Sequence, residues 1–201
     1  MLVWFSRKVD LYAVLDEWRA AHRNYQPGDF DGDSWHVDRY DVLLCNADNG
    51  ALFDIAARRL FRYAFYPETF VTVEADFIRE DRPPEAGERI VQRVRIIPGI
   101  VDAVTMNIVE SVWQEPDRQG FTLVTSERQY ERGEWTASVA RNPGGEVLLQ
   151  VRVVSRPSQR LPLPARVFAR ALQKHAHELG LKRFAGAVRS KNPDVRGLAP
   201  Y

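Results

Sequence analysis

The segment GFTLVTSERQYERGEW, residues 120 to 135, crowds Glu127, Arg128, Glu131, Arg132 and Glu134 around Gly133. Carboxylates at this density could move protons, anchor the polar end of a ligand, or pair with the arginines on a solvated hairpin. Alternation with a period of two puts Phe121, Leu123, Thr125, Glu127 and Gln129 on one face of a strand. An acid on the same face as two apolar residues describes a pocket mouth, with Glu127 or Glu134 as the anchor. It equally describes a strand leaving the core, with ERG as its turn and EWTASVARN as the next strand. Both readings stand at this point.

Other residues with chemical potential are scattered. His175 falls on an apolar stripe near the C-terminus, whereas His177, two positions on, faces elsewhere, so the two do not form an i, i+4 metal pair. Ser155 in VVSRPS lacks the G-x-S-x-G elbow of a hydrolase nucleophile. Arg156 beside it could grip an anionic head group in two bonds, or simply end a strand. QPGDFDGDS has three acids but not the twelve-residue calcium loop, and NPGG lacks the lysine and helix of a phosphate loop. Cys45 is the only cysteine, which excludes an internal disulfide and leaves a thiolate zinc site short of ligands. No metal and no cofactor are expected, and no catalytic motif is recognised.

The elements that must position these residues follow from composition and period. The chain has 201 residues, 45% hydrophobic and 27% charged, enough for one domain with a sizeable core. A net charge of +1, with signs interspersed, predicts no nucleic-acid partner. MLVWFSRKV is too short in its apolar part for a signal peptide and no stretch reaches membrane-span length, so a cytoplasmic location is expected. Asp10 caps a predicted helix with Leu11, Leu15, Trp18 and Ala21 on one stripe. WHVDRYDVLLCN reads as a strand, and Leu52, Ile55, Ala56, Leu60 and Tyr63 define a helix stopped by Pro67. About six antiparallel strands are predicted between residues 69 and 157, each with one buried and one wetter face. Val71, Val73, Ala75 and Phe77 mark the first of them. Val104, Met106, Ile108 and Val112, alternating with Thr105, Asn107 and Ser111, mark another. A long last helix carries Phe168, Ala171, Leu172, His175 and Leu179 as its apolar stripe.

This order predicts an α+β, helix-grip-like fold: a curved antiparallel sheet of about seven strands wrapped on a long C-terminal helix, as in START-like and plant-allergen proteins. Residues 1–201 form one domain, with an N-terminal helix and loop over 1–34, the core over 35–185 and a flexible tail over 186–201. A gap between sheet and helix would hold a small apolar molecule or lipid. Its candidate lining is Trp113, Leu123, Thr125, Glu127, Arg156, Phe168, Leu172 and His175. The alternatives are an enzyme acting on an apolar substrate in the same cavity, for example by cyclisation or hydration, and a cavity-free interaction module. Oligomeric state is not readable.

The pieces LFDIAARRLFRY, GF at 120–121, Thr125, GE at 133–134, GGEVLLQVRVVSRP and LQKHAHELGLKRF, with NY at 24–25, resemble uncharacterised protein family 0548, the domain-of-unknown-function family nineteen-ninety. The resemblance spans roughly residues 24 to 185 and implies no established activity. Members of that family tend to have an aromatic residue near Leu123, a histidine near Gln129 and an acid at Trp135, and the family's TL pair is Thr125 and Ser126 here. An amide at Gln129 has no useful pKa, so if that histidine does acid–base work in other members, Gln129 cannot do it here.

Overall fold

The computed structural model describes residues 2–5, 9–46, 51–97, 101–129, 131–157 and 163–190. Eight strands form one antiparallel sheet: β1 (Leu2–Phe5), β2 (His36–Cys45), β3 (Val71–Glu74), β4 (Arg89–Ile97), β5 (Val101–Glu115), β6 (Arg118–Thr125), β7 (Glu131–Arg141) and β8 (Val147–Pro157). Seven of them run in the order β2-β8-β7-β6-β5-β4-β3. The fifteen-residue β5 explains the eighth. Its first residues, Val101–Val104, pair with β1 on the edge that Asn107–Glu115 offers to β6. The six strands expected between residues 69 and 157 are β3 to β8.

Two helices cover the concave face. α2 (Ala51–Phe61) buries Leu52, Phe53, Ala56, Ala57, Leu60 and Phe61, and Arg58 and Arg59 in its last turn suit the helix dipole. α4 (Leu163–Arg189) lies over β2 and β8 and touches α2. The architecture is therefore a curved antiparallel sheet gripping a C-terminal helix. α4 continues to Arg189, into the segment 186–201 expected as a flexible tail, and the part of that segment from 191 onward lies outside the described residues.

The stripe that docks α4 is not the one predicted. His177, Leu181, Phe184, Ala185 and Val188 are buried, whereas Phe168 is 55% exposed and Ala171 and His175 face solvent; Leu172 and Leu179 are intermediate. The helix has apolar residues on two faces, so spacing alone does not choose between them. Gly180 decides the matter. A Cβ there would stand 2.3 Å from Phe65 Cε1, so the bare backbone is what lets α4 press against that ring. Gly180→Ala is expected to cost about 1–3 kcal/mol in chemical denaturation.

The convex face is covered too. α1 (Leu11–Glu17) is capped by Asp10, whose Oδ1 accepts from Tyr12 N–H at 3.0 Å. Val14, Leu15, Trp18 and Ala21 pack on Val91, Val104 and Met106. Tyr25 and Trp35, with ring centroids 5.3 Å apart, cover Ile108, Val124 and Val154. Asp102 through Val109 are consequently all buried, on both faces of β5. Two local expectations are corrected. The alternation through Ala75 and Phe77 leaves the strand at Glu74 and enters a helical turn, α3 (Asp76–Arg79), with both residues still fully buried. ERG is not a turn but part of β7; the turn is at Ser126–Gln129, closed by Gln129 N–H donating to Ser126 O at 3.0 Å.

Candidate functional site

With the convex face of β5 occupied by α1, the polar residues between Val104, Met106 and Ile108 must point the other way. Thr105 and Asn107 are buried at 8% and 9% exposure and face the concave side. There a space of about 240 Å³ remains between the sheet and α4. β3, β4 and β5 supply Val71, Gln92, Val94 and Thr105; α4 supplies Leu172, Gln173, Ala176 and His177; the segment after α2 supplies Tyr63, Tyr66 and Phe70. The face expected to be wet is the inner one.

The polar groups form two connected sets. In the first, Gln92 Nε2 donates to Tyr63 Oη at 3.0 Å, and the Tyr66 hydroxyl is in hydrogen-bonding reach of the Tyr63 hydroxyl. Burial raises the pKa of both phenols, so both stay protonated at neutral pH. Tyr63 holds φ 52°, a left-handed backbone that a bulky residue adopts at a cost of order 1–3 kcal/mol. Its ring is held against Trp135 (5.4 Å between centroids) and Phe121 (6.3 Å), and this packing maintains the strain.

The second set surrounds Glu131. Period two along β7 sends Glu131, Gly133 and Trp135 inward and Arg132 and Glu134 outward. Arg132 pairs with Asp29 at 2.9 Å, and Glu134 with Arg152, both on the convex side. Glu131 Oε2 accepts from Gln173 Nε2 at 3.0 Å; Gln173 also meets Ser155 Oγ at 3.3 Å and accepts from Arg170 Nη1 at 2.7 Å. Arg170 in turn donates to Asp38 Oδ1 at 2.7 Å. Burial pushes the Glu131 carboxyl up to about 7, with Arg170 opposing. His177, one turn beyond Gln173, is 5% exposed, and burial pushes it down to about 4; Arg170 adds to the fall and Asp38 opposes it. Its Nδ1 has no hydrogen-bond partner among the described residues. Between the two sets, Gln129 Nε2 donates to Asn107 Oδ1 at 2.9 Å.

Backbone geometry fixes Glu131 in place. Gly133 N–H donates to Thr125 Oγ1 at 2.9 Å, and Asn24 Nδ2 donates to Glu131 O at 3.2 Å. A Cβ on Gly133, whose φ is 153°, would meet Val154 O at 1.9 Å, so only glycine allows β7 and β8 to approach this closely.

The residues expected to line a pocket divide. Leu123, Thr125 and Leu172 border the space. Glu127 is exposed in the turn after β6, its N–H donating to His22 O at 2.9 Å. Arg156 lies on the convex face over the Trp35 ring, 5.2 Å from its centroid, because its inward neighbour is Ser155. Trp113 sits at the far end of β5 under Arg118. Phe168 is exposed, and His175 touches only the edge of Phe70, 6.4 Å between centroids. Glu131, His177, Gln173, Gln92, Tyr63 and Asn107 were missed. One signal could have found Asn107 and Thr105: a helix stripe as apolar as Leu15, Trp18 and Ala21 needs a sheet face of its own.

Against known proteins, the family model described as Domain of unknown function (DUF1990) matches residues 19–182. No curated protein matches the sequence. Among solved structures, hypothetical protein jhp0584 from Helicobacter pylori aligns with a TM-score of 0.58 at 12% identity, covering 82% of this chain and 95% of that one. Ara h 8.0201 aligns at a TM-score of 0.48 and 14% identity, covering 78% of this chain and 99% of that one. At such identity the first of these speaks to fold alone.

Proposed function

The chain belongs to the DUF1990 family, which brings no activity with it, and we propose that it binds a small, largely apolar molecule non-covalently between the sheet and α4. The observation that carries this reading is the space of about 240 Å³ beside an otherwise close-packed core. A filled interaction module would close it, since protein interiors normally leave few voids larger than a water. Its size sets the ligand. Cavities of roughly 150 Å³ hold a benzene ring, and pockets for drug-sized ligands start at roughly 300 Å³. One or two rings or a short chain fit; a two-chain lipid does not.

The test uses 1-aminonaphthalene, a neutral two-ring probe whose fluorescence shifts to the blue in apolar surroundings. Wild type is expected to bind one equivalent. Ala176 borders the space and Ala171 faces solvent. Ala176→Trp should therefore abolish the signal, and Ala171→Trp should leave it unchanged. No binding by wild type, or equal loss in both variants, ends this reading.

A catalytic role for the same cavity is the second reading, favoured by Glu131 and His177, an acid and an imidazole displaced from their ordinary ranges along one pocket. At neutral pH such a pair can offer a proton at one point and accept one at another. Mass spectrometry of small-molecule extracts checks it: a compound consumed by wild type and spared by Glu131→Gln supports catalysis, and no consumption leaves binding alone.

A further inference from the structure

We infer that the cavity selects an uncharged ligand bearing a hydrogen-bond-accepting oxygen, such as a ketone on a one- or two-ring skeleton, and rejects carboxylates and phosphates. This rests on the binding reading above and adds the ligand's chemistry to it.

Two observations carry the inference. The first is charge. Among the described residues, no lysine or arginine borders the space, and the acids that do are Glu131 and Glu134, the latter with its carboxylate paired to Arg152. Arg170, close by, has Nη2 on Asp38 and Nη1 on Gln173, so both of its terminal nitrogens are engaged. A carboxylate entering the cavity would lose its hydration and meet no cation, with an ionisable acid as its neighbour. Burying an unpaired charge is far costlier than burying a neutral carbonyl.

The second is a proton count. Tyr63 and Tyr66 carry two hydroxyl protons. Gln92 already donates to Tyr63 Oη, so contact between the two phenols can use at most one proton, whichever phenol gives it. The other proton has no acceptor among the described residues. A donor without a partner is costly, and both rings border the cavity. An acceptor oxygen on the ligand completes the chain. Neither phenol alone is essential, because removing one leaves the proton of the other; removing both removes the donor.

Titration calorimetry at pH 7.5 with 2-acetylnaphthalene and 2-naphthoate tests this, since the two differ by a methyl group in place of a carboxylate oxygen. The ketone is expected to bind at least tenfold more tightly. The Tyr63→Phe/Tyr66→Phe double variant should weaken the ketone about fivefold, to the level of naphthalene, and keep 1-aminonaphthalene binding, which shows that the fold and the cavity persist. Naphthoate binding as tightly as the ketone overturns the inference and leaves the cavity-binding reading intact. So does ketone affinity unchanged in the double variant. If no neutral probe binds wild type, the cavity-binding reading falls first and this one with it.

Discussion

Phe184→Ala is expected to lower the unfolding free energy by about 3–5 kcal/mol in urea titrations, while Phe168→Ala stays within about 0.5 kcal/mol of wild type. The two phenylalanines belong to the same helix and differ in what they touch. Phe184 is fully buried, with its ring 5.9 Å from Phe65, in the cluster that also holds Leu60, Trp135 and Val188. Truncating it opens a cavity beneath α4 that a close-packed neighbourhood cannot refill. Phe168 is 55% exposed, and its loss removes little area from contact. Equal costs at the two sites would mean that the N-terminal half of α4 closes onto the sheet in solution.

That contrast also measures how far the sequence could be read. Element order was legible because each element carries a strong local signal. Asp10 starts a helix with its own side chain, and Val104, Met106, Ile108 and Val112 alternate with polar residues at the period of a strand. The inward face of α4 was not legible. Both Phe168–Leu172–Leu179 and Leu181–Phe184–Val188 satisfy helical spacing, and the deciding contact, Gly180 against Phe65, joins residues 115 positions apart. The site failed for a related reason. Glu127 and Glu131 are both acids on one short stretch, and their faces depend on where the turn falls. Placing the turn at ERG left Glu131 at a hairpin end; its true place at Ser126–Gln129 makes Glu131 the first inward residue of β7. Polar residues on β5 were read as solvent-facing because one sheet with one cover was assumed. The second cover, α1, was itself predicted, so the information was present but unassembled.

The other large effect concerns pH. Glu131 titrates at about 7 in the folded chain against an ordinary 4.5, so the stability it contributes is complete below 4.5 and is lost as pH rises to about 7. His177 runs the opposite way. Its value of about 4 against an ordinary 6.5 means that stability is complete above 6.5 and is lost as pH falls to about 4. The charged neighbours common to this region, Asp38 and Arg170, pair with each other and remain in both variants below. Each pH unit inside such a window is worth about 1.4 kcal/mol. Between pH 4.5 and 6.5 the two slopes oppose each other and largely cancel in the wild type. Removing either partner exposes the other. Relative to wild type across that interval, Glu131→Gln should lose roughly 3 kcal/mol on going from pH 6.5 down to 4.5, and His177→Gln should lose a similar amount on going up. Each substitution also shifts its whole curve by a constant packing cost, so the slope, not the level, is the measurement. Denaturation curves at half-unit pH steps would show the crossing directly. Variant profiles parallel to wild type would place both groups in contact with bulk water and remove the physical basis for treating them as an acid and a base held inside the protein.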